Sequence, residues 1–537
     1  MSSHTRPSPV QKLRGHRTYG RVARASVRWA YARSVVNFLV TIPTAMVLAR
    51  LLTPEEFGIA AAATFFGHLA GRLSSGGMGS GLTRLKELRD DHITTVFTMN
   101  AGATAVVIVA LLVSAPFIGA FYRDPRVGWL IPLVAVNFAL GALCVVQQAL
   151  LHRDLRYREI ATIGSIDMTA AALGAVTFAA LGFSYWSLVL GEICGAFVKF
   201  VYGVKVAGWH LKIRFVPAAA RELGSFVAGS YAKRLLEDLT RNVDNLIVGR
   251  VLGLTALGFY DKGFSVVNKL YLRMMVGGPS VSFRIFSIIQ DEPERFRRAY
   301  HKVIMTATLL SYPAFAALGT MAPHLVVVAF GERWRPAVVP LQILCISFSL
   351  KILSQYAFVA SQARGWIWPH VWRQAVQVLC IVGGVYLAMP WGINGAALAV
   401  VGAAIVMFFL TQGMMRRATG LGWSDVLRPQ IPAVSSATAL IVIIWGIDGL
   451  LAERLATLLI LAAQAAAAGL FMLAFAWWCP FSEARLLLHD AVSDMSPHLA
   501  AWVWSDIAAQ QKAQKDRHHG RPAAAPGDID AETNLAS

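Results

Sequence analysis

The sequence predicts an all-α polytopic membrane protein of about fourteen transmembrane helices, and three observations predict it. Hydrophobic residues make up 56% of the 537 residues and charged residues only 15%, less charge than a soluble chain of this length needs to cover its surface. Mean hydropathy is correspondingly high, at +0.54. The apolar residues gather into runs of about 20, the length that crosses a bilayer as a helix. The basic residues then alternate from loop to loop in the way an even number of spans requires.

The runs place spans near 29–52, 57–82, 93–121, 128–151, 160–182 and 184–208, then near 222–252, 256–286, 300–330, 336–360, 369–390 and 392–416, with two more near 430–450 and 453–479. Ahead of the first lie Arg6, Lys12, Arg14, Arg17, Arg21, Arg24 and Arg28 with no acidic residue among them, which predicts a cytoplasmic N-terminus. The loops after even-numbered spans are basic in turn, as with Arg84, Lys86 and Arg89, or Arg295, Arg297, Arg298 and Lys302. The odd loops carry far fewer, among them Arg50, Arg123, Arg126 and Arg250. The net charge of +19 is therefore mostly a topology signal rather than a nucleic-acid footprint. The first apolar run is too long for a cleavable signal peptide. Cys144, Cys194, Cys345, Cys380 and Cys479 are scattered among the spans, so neither a disulfide framework nor a zinc site is expected, and no cofactor. The expected location is a bacterial inner membrane with both termini cytoplasmic.

The chain repeats itself. Residues 26–58 align without gaps on 226–258, with identities Val27/Val227, Tyr31/Tyr231, Ala32/Ala232, Leu39/Leu239, Arg50/Arg250, Leu52/Leu252 and Gly58/Gly258, and Arg33 opposite Lys233. Ala115-Pro116 is echoed by Ala322-Pro323, and Gly182 by Gly392, in the same order. Together these predict a basic tail (1–28), a six-helix lobe (29–208), a second six-helix lobe (222–416), an added pair of spans (430–479) and a tail (480–537), amphipathic and then disordered. Six spans separate the copies, so both lobes insert the same way up, the parallel-repeat arrangement with a cavity on the pseudo-twofold axis.

Charges inside spans are the candidate site. Each basic group facing lipid at a helix centre costs about 2.5–3.5 kcal/mol, so most must be paired, near an interface or facing a watery cavity. In span seven Lys233, Arg234 and Arg241 are spaced i,i+3 or i,i+4 from Glu237, Asp238 and Asp244, an arrangement that fits an ion-pair ladder as well as a cavity lining. In span eight Lys262, Lys269 and Arg273 form one uncompensated helical stripe, suited to phosphate oxygens. Arg33 and Arg72 complete the cationic set, Arg33 with Asn37 one turn on and Arg72 with His68 one turn before. The run SSGGMGSG (74–81) offers backbone N–H groups to an anion or simply lets helices pack. Asp167, Glu192 and Asp244 are the carboxylates placed to bind a coupling proton or sodium ion, with Lys199 two turns from Glu192.

The strings LARLLTPEEFG (48–58), RNVDNLIVGRVLGLTALGFYDKG (241–263) and FGERWRPAVVPLQIL (330–344) resemble polysaccharide flippases of the multidrug/oligosaccharidyl-lipid/polysaccharide export superfamily. The resemblance covers about residues 20–416. It implies two lobes that open alternately to either side of the membrane and a polyprenyl-diphosphate-linked oligosaccharide as cargo, for exopolysaccharide or lipopolysaccharide biosynthesis alongside polymerase and export machinery. Fourteen spans also resemble the lipid II flippases. A multidrug or cation antiporter of the same superfamily is the competing transport reading, and the basic excess in the spans speaks against it. A membrane-bound polymerase or ligase would need a long extracytoplasmic loop, and every odd loop here is short. A non-transporting scaffold leaves the cationic stripe without a purpose. No GxxxxGK[ST] loop is present, so hydrolysis of ATP by the chain is not expected.

Overall fold

The computed structural model describes residues 5–6, 16–75, 82, 88–207, 213–217, 243–420, 422–451 and 456–478. Almost all of them are helical. Residues 16–207 form α1 (His16–Leu51), α2 (Pro54–Ser75), α3 (Asp90–Tyr122), α4 (Pro125–Leu143), α5 (Val145–Arg153), α6 (Tyr157–Ala180) and α7 (Trp186–Ala207). Residues 243–419 form α8 (243–252), α9 (Leu254–Met274), α10 (Gly278–Ile288), α11 (Pro293–Phe330), α12 (Val338–Ala363), α13 (Ile367–Leu387) and α14 (Gly392–Thr419). After them come α15 (Ile431–Leu451) and α16 (Thr457–Trp478). Among the described residues nine spans are long and apolar enough to cross a membrane. The chain is a multi-pass membrane protein.

The helices start where local chemistry starts them. Thr53 and Glu56 form a reciprocal cap at the head of α2: the Thr53 N–H donates to Glu56 Oε2 at 2.6 Å and the Glu56 N–H to Thr53 Oγ1 at 3.3 Å. Pro54 between them occupies the first helical position, where its missing N–H costs nothing. Asp124 caps α4 alone, accepting the Arg126 N–H at 2.9 Å, with Pro125 at the first helical position.

Three expected spans differ in detail. The first helix begins at His16, not near residue 29, so its basic leading turns join the apolar part in one helix of 36 residues. The fourth bends at Cys144, where α4 passes into α5. The eighth, expected as one run over 256–286, is two helices. Gly277 takes φ +81°, a left-handed conformation that other residues rarely adopt, and Pro279 in the first turn of α10 cannot continue the hydrogen bonding of α9.

The chain forms two compact units. One comprises Met1–Met275, Ala322–Ser354 and Gly365–Thr411, the other Val276–Met321, Gln355–Arg364 and Gln412–Ser537. In the second unit Met305, Leu309 and Ala433 make a buried apolar cluster. Tyr300 and Tyr312 donate there to Gln412 and Gln430, each at 2.8 Å, so the buried hydroxyls are paired as an apolar surround requires. The Arg364 guanidinium lies 4.1 Å from the centroid of the Phe296 ring.

The first unit holds the repeat in three dimensions. At Gly58 a Cβ would stand 1.8 Å from the Leu254 carbonyl oxygen, and at Gly258 a Cβ would stand 1.8 Å from the Pro54 carbonyl oxygen. The four positions are related by the same 200-residue offset found in the sequence, so α2 and α9 cross backbone to backbone about a local twofold axis. Only residues without a side chain permit that approach. Flanking contacts follow the symmetry: Arg50 donates to the Val328 carbonyl at 3.1 Å, and Arg250 stacks over the Phe121 ring at 5.4 Å. Phe121 and Val328 are separated by the same 207 residues as the two Ala-Pro pairs.

Candidate functional site

The site is assembled from helices of the first compact unit. Helix α9 is 21 residues long, enough to cross the hydrocarbon core of about 30 Å. Its charges, Asp261, Lys262, Lys269 and Arg273, keep it out of the strictly apolar spans. The cationic stripe of the sequence is divided in space. Lys269 and Arg273 are exposed, and Arg273 donates to the Ser34 carbonyl on α1 at 3.3 Å, one residue beyond Arg33. Lys262 does not share their setting. It is only 8% exposed, and its ammonium lies 3.9 Å from the ring centroid of Phe57, 4.7 Å from Phe330 and 4.9 Å from Trp334. Lys262 therefore sits apart from Lys269 and Arg273, its charge held by three aromatic faces.

The cage is rigidly framed. Trp334 is fully buried and its indole N–H donates to the Ala49 carbonyl at 2.8 Å. Phe57 and Phe259 meet it edge to face with centroids 5.2 and 6.0 Å away, the arrangement that ring quadrupoles favour. Asp261, next to Lys262 in sequence, points elsewhere and accepts from Asn245 at 3.0 Å. A further cation, absent from the sequence-derived set, stands near the exposed half of the stripe. Lys351 of α12 lies 5.2 Å from the Tyr271 ring and 4.6 Å from the Phe348 ring. Its single intramembrane charge was visible in the sequence, but nothing there joined residue 351 to residue 271.

A second polar cluster sits within the first repeat. Lys199 of α7 pairs with Asp167 of α6 at 3.2 Å. Glu192, the carboxylate nearest Lys199 in sequence, is held instead by Asn137 of α4, whose amide donates to it at 2.9 Å. Arg33 packs flat on α6: a Cβ at Gly164 would fall 2.4 Å from its guanidinium carbon. Asp244 on α8 is buried and accepts the Tyr260 hydroxyl at 2.9 Å. Lys233, Arg234, Arg241 and most of the glycine run 74–81 lie outside the described residues, as does the side chain of Arg72. Among the described residues no group of His, Cys, Asp and Glu has the arrangement of a metal site.

Away from these clusters, a cavity of about 510 Å³ lies at the turn from α3 to α4, lined by Ala115, Pro116, Gly119, Arg123, Asp124 and Trp129 among others. Arg126 beside it bridges Glu55 and Asp124, tying the start of α2 to the start of α4. The guanidinium hydrogen bonds hold the Asp124 carboxyl below its ordinary range.

The family described as polysaccharide biosynthesis protein matches residues 47–339, more than half of the chain. The chain belongs to the polysaccharide biosynthesis protein family. The matched segment contains the crossing of α2 and α9, the lysine cage and the exposed cations of α9. Relatives include the lipopolysaccharide biosynthesis protein WzxC of Escherichia coli (strain K12), 25% identical over 328 residues that cover 60% of this chain and 66% of the relative. The succinoglycan biosynthesis transport protein ExoT of Rhizobium meliloti (strain 1021) is also 25% identical, over 60% of this chain and 65% of its own. The chain thus spans less than two thirds of the length of either. Among solved structures, lipid II flippase MurJ in an inward closed conformation superposes with a TM-score of 0.68 at 12% identity, covering 84% of this chain and 98% of that one. An inward-facing multidrug resistance MATE family transporter of the MOP superfamily gives 0.51 at 14% identity, over 72% of this chain and 95% of that one. These likenesses show the fold.

Proposed function

We propose that this chain is a flippase. It moves a polyprenyl-diphosphate-linked oligosaccharide across the bacterial inner membrane by alternating access of two lobes, 29–208 and 222–416, with both termini cytoplasmic. The observation that carries the reading is the exposed cationic pair Lys269 and Arg273 on α9, the helix that crosses α2 at its opposite end. A diphosphate headgroup matches those charges in sign and geometry, and guanidinium and ammonium groups bind its oxygens through charge-assisted hydrogen bonds. The lipid tail stays in the bilayer while the lobes rock. The relatives named for lipopolysaccharide and succinoglycan biosynthesis support a polysaccharide pathway, with a polymerase and export machinery downstream. The chain then performs no bond chemistry of its own.

Arg33 joins the anion site from α1, and Arg72, Lys233, Arg234 and Arg241 extend it. Lys351 joins it from α12. The carboxylates Asp167, Glu192 and Asp244 are the positions at which an ion gradient enters the cycle.

Ligand-dependent stabilisation tests the reading, because a molecule that binds only the folded state raises its unfolding temperature. An undecaprenyl-diphosphate-linked oligosaccharide is expected to raise it in detergent, while a lipophilic organic cation leaves it unchanged. The opposite pattern would replace the flippase by an antiporter.

A further inference from the structure

Lys262 is the member of the stripe that the open anion site does not use, and its surroundings are specific. Its cage draws on both repeats. Phe57 lies on α2, one residue before the Gly58 crossing point, whereas Phe330 and Trp334 lie at the end of α11 and in the turn Glu332–Ala337. Trp334 in turn holds the end of α1 through the Ala49 carbonyl. Moving α2 away from that turn takes one wall off the cage. Among the described residues Lys262 makes no salt bridge, so ring quadrupoles and not a carboxylate in contact hold its charge. The position related to it by the 200-residue offset is Ala62, which confines the device to the second repeat.

We propose that Lys262 is a latch on the crossing of α2 and α9, released when the anionic headgroup of the transported lipid draws its ammonium out of the aromatic cage. The inference rests on the flippase reading and deepens it, because it makes opening depend on headgroup charge. An ammonium gains more from two phosphate oxygens than from ring faces, so a diphosphate competes successfully with the cage. A neutral lipid offers no such exchange and leaves the crossing shut. A ligand shifts the equilibrium only by binding one state better than the other, and the freed ammonium supplies that difference. Lys269, seven residues and nearly two turns along the same helix, places the first contact of the headgroup within reach of the caged lysine.

The test uses the full chain in lipid nanodiscs, with the five native cysteines replaced and Ala49→Cys introduced at a fully buried position whose carbonyl accepts the Trp334 indole N–H. The rate of labelling by a water-soluble maleimide is measured alone, with undecaprenyl-diphosphate-linked oligosaccharide, and with undecaprenol. The expected result is a severalfold acceleration by the diphosphate lipid, none by undecaprenol, and no acceleration in Lys262→Met, which keeps the apolar stem but no charge. Lys262→Arg should respond like the parent. Lys262→Gln gives the same comparison where the methionine variant folds poorly. Acceleration of both uncharged variants to the parent's extent overturns the latch while leaving the flippase reading intact. A parent that translocates the lipid with no change in labelling also overturns it. A parent that neither responds nor translocates removes the flippase reading, and the latch with it.

Discussion

Gly58→Ala is the smallest change that addresses how the two repeats meet. The added Cβ would stand 1.8 Å from the Leu254 carbonyl oxygen. An acceptable carbon–oxygen contact is about 3.3 Å, so α2 and α9 must part by roughly 1.5 Å at the crossing. The obstructing atom belongs to the backbone, and no rotamer change relieves it. Overpacking of this kind costs about 1–3 kcal/mol, and loss of the close backbone approach adds to it. Alanine favours the helix over glycine by about 1 kcal/mol, which offsets part of the cost. The net expectation is destabilisation by about 1–2 kcal/mol, read as a lower unfolding temperature in detergent. Gly258→Ala meets the Pro54 carbonyl at the same 1.8 Å and should cost the same. The double variant should cost clearly less than the sum, because one separation of the helices accommodates both methyl groups. An unfolding temperature that rises in either single variant, or effects that add fully in the double, would refute the symmetric crossing.

The Asp167–Lys199 pair should behave as a unit. Lys199→Met alone strands a half-buried carboxylate within the membrane domain and is expected to destabilise more than Lys199→Met combined with Asp167→Asn; thermal unfolding of the four proteins measures the coupling. At Asp124 the folded-state pKa is depressed by Arg126. Its contribution to stability is therefore present above the unfolded value of about 3.9 and is lost as pH falls through the lower folded value. Asp124→Asn should lower the unfolding temperature at pH 6 and converge on the parent as pH falls through the lowered folded value, and a difference that grows on acidification would contradict the assignment. Trp334→Leu should open the lysine cage and loosen the Ala49 contact, raising the labelling rate at Ala49→Cys without added lipid; unchanged labelling would show that the indole does not hold this end of α1.

The fold was legible where the sequence carried periodic or repeated signals. Apolar runs marked the nine membrane-crossing helices found among the described residues, and the Gly58/Gly258 and Arg50/Arg250 matches became a backbone crossing and its flanking contacts. The break at Gly277-Gly278-Pro279 is written in residue types that end helices, yet the apolar run across it suggested continuity. The leading turns of α1 were lost for the opposite reason: polar arginine-rich helix carries no apolar signal to mark its start. The site was legible as charges in spans but not as contacts. Lys262 needs Phe57, Phe330 and Trp334, three aromatics with no sequence relation to it that helical spacing reveals. Lys199 was placed beside Glu192 because they share a helix, whereas its partner Asp167 lies on the neighbouring one.

Transport itself decides the central claim. Proteoliposomes containing the parent chain, Lys269→Ala or Arg273→Ala are given an undecaprenyl-diphosphate-linked oligosaccharide, and its arrival in the opposite leaflet is followed by accessibility to a sugar-modifying enzyme. The account predicts transfer by the parent and loss of transfer in both variants, with all three proteins inserted in equal amounts. Equal transfer by parent and variants would contradict the cationic site, and no transfer by the parent would contradict the function.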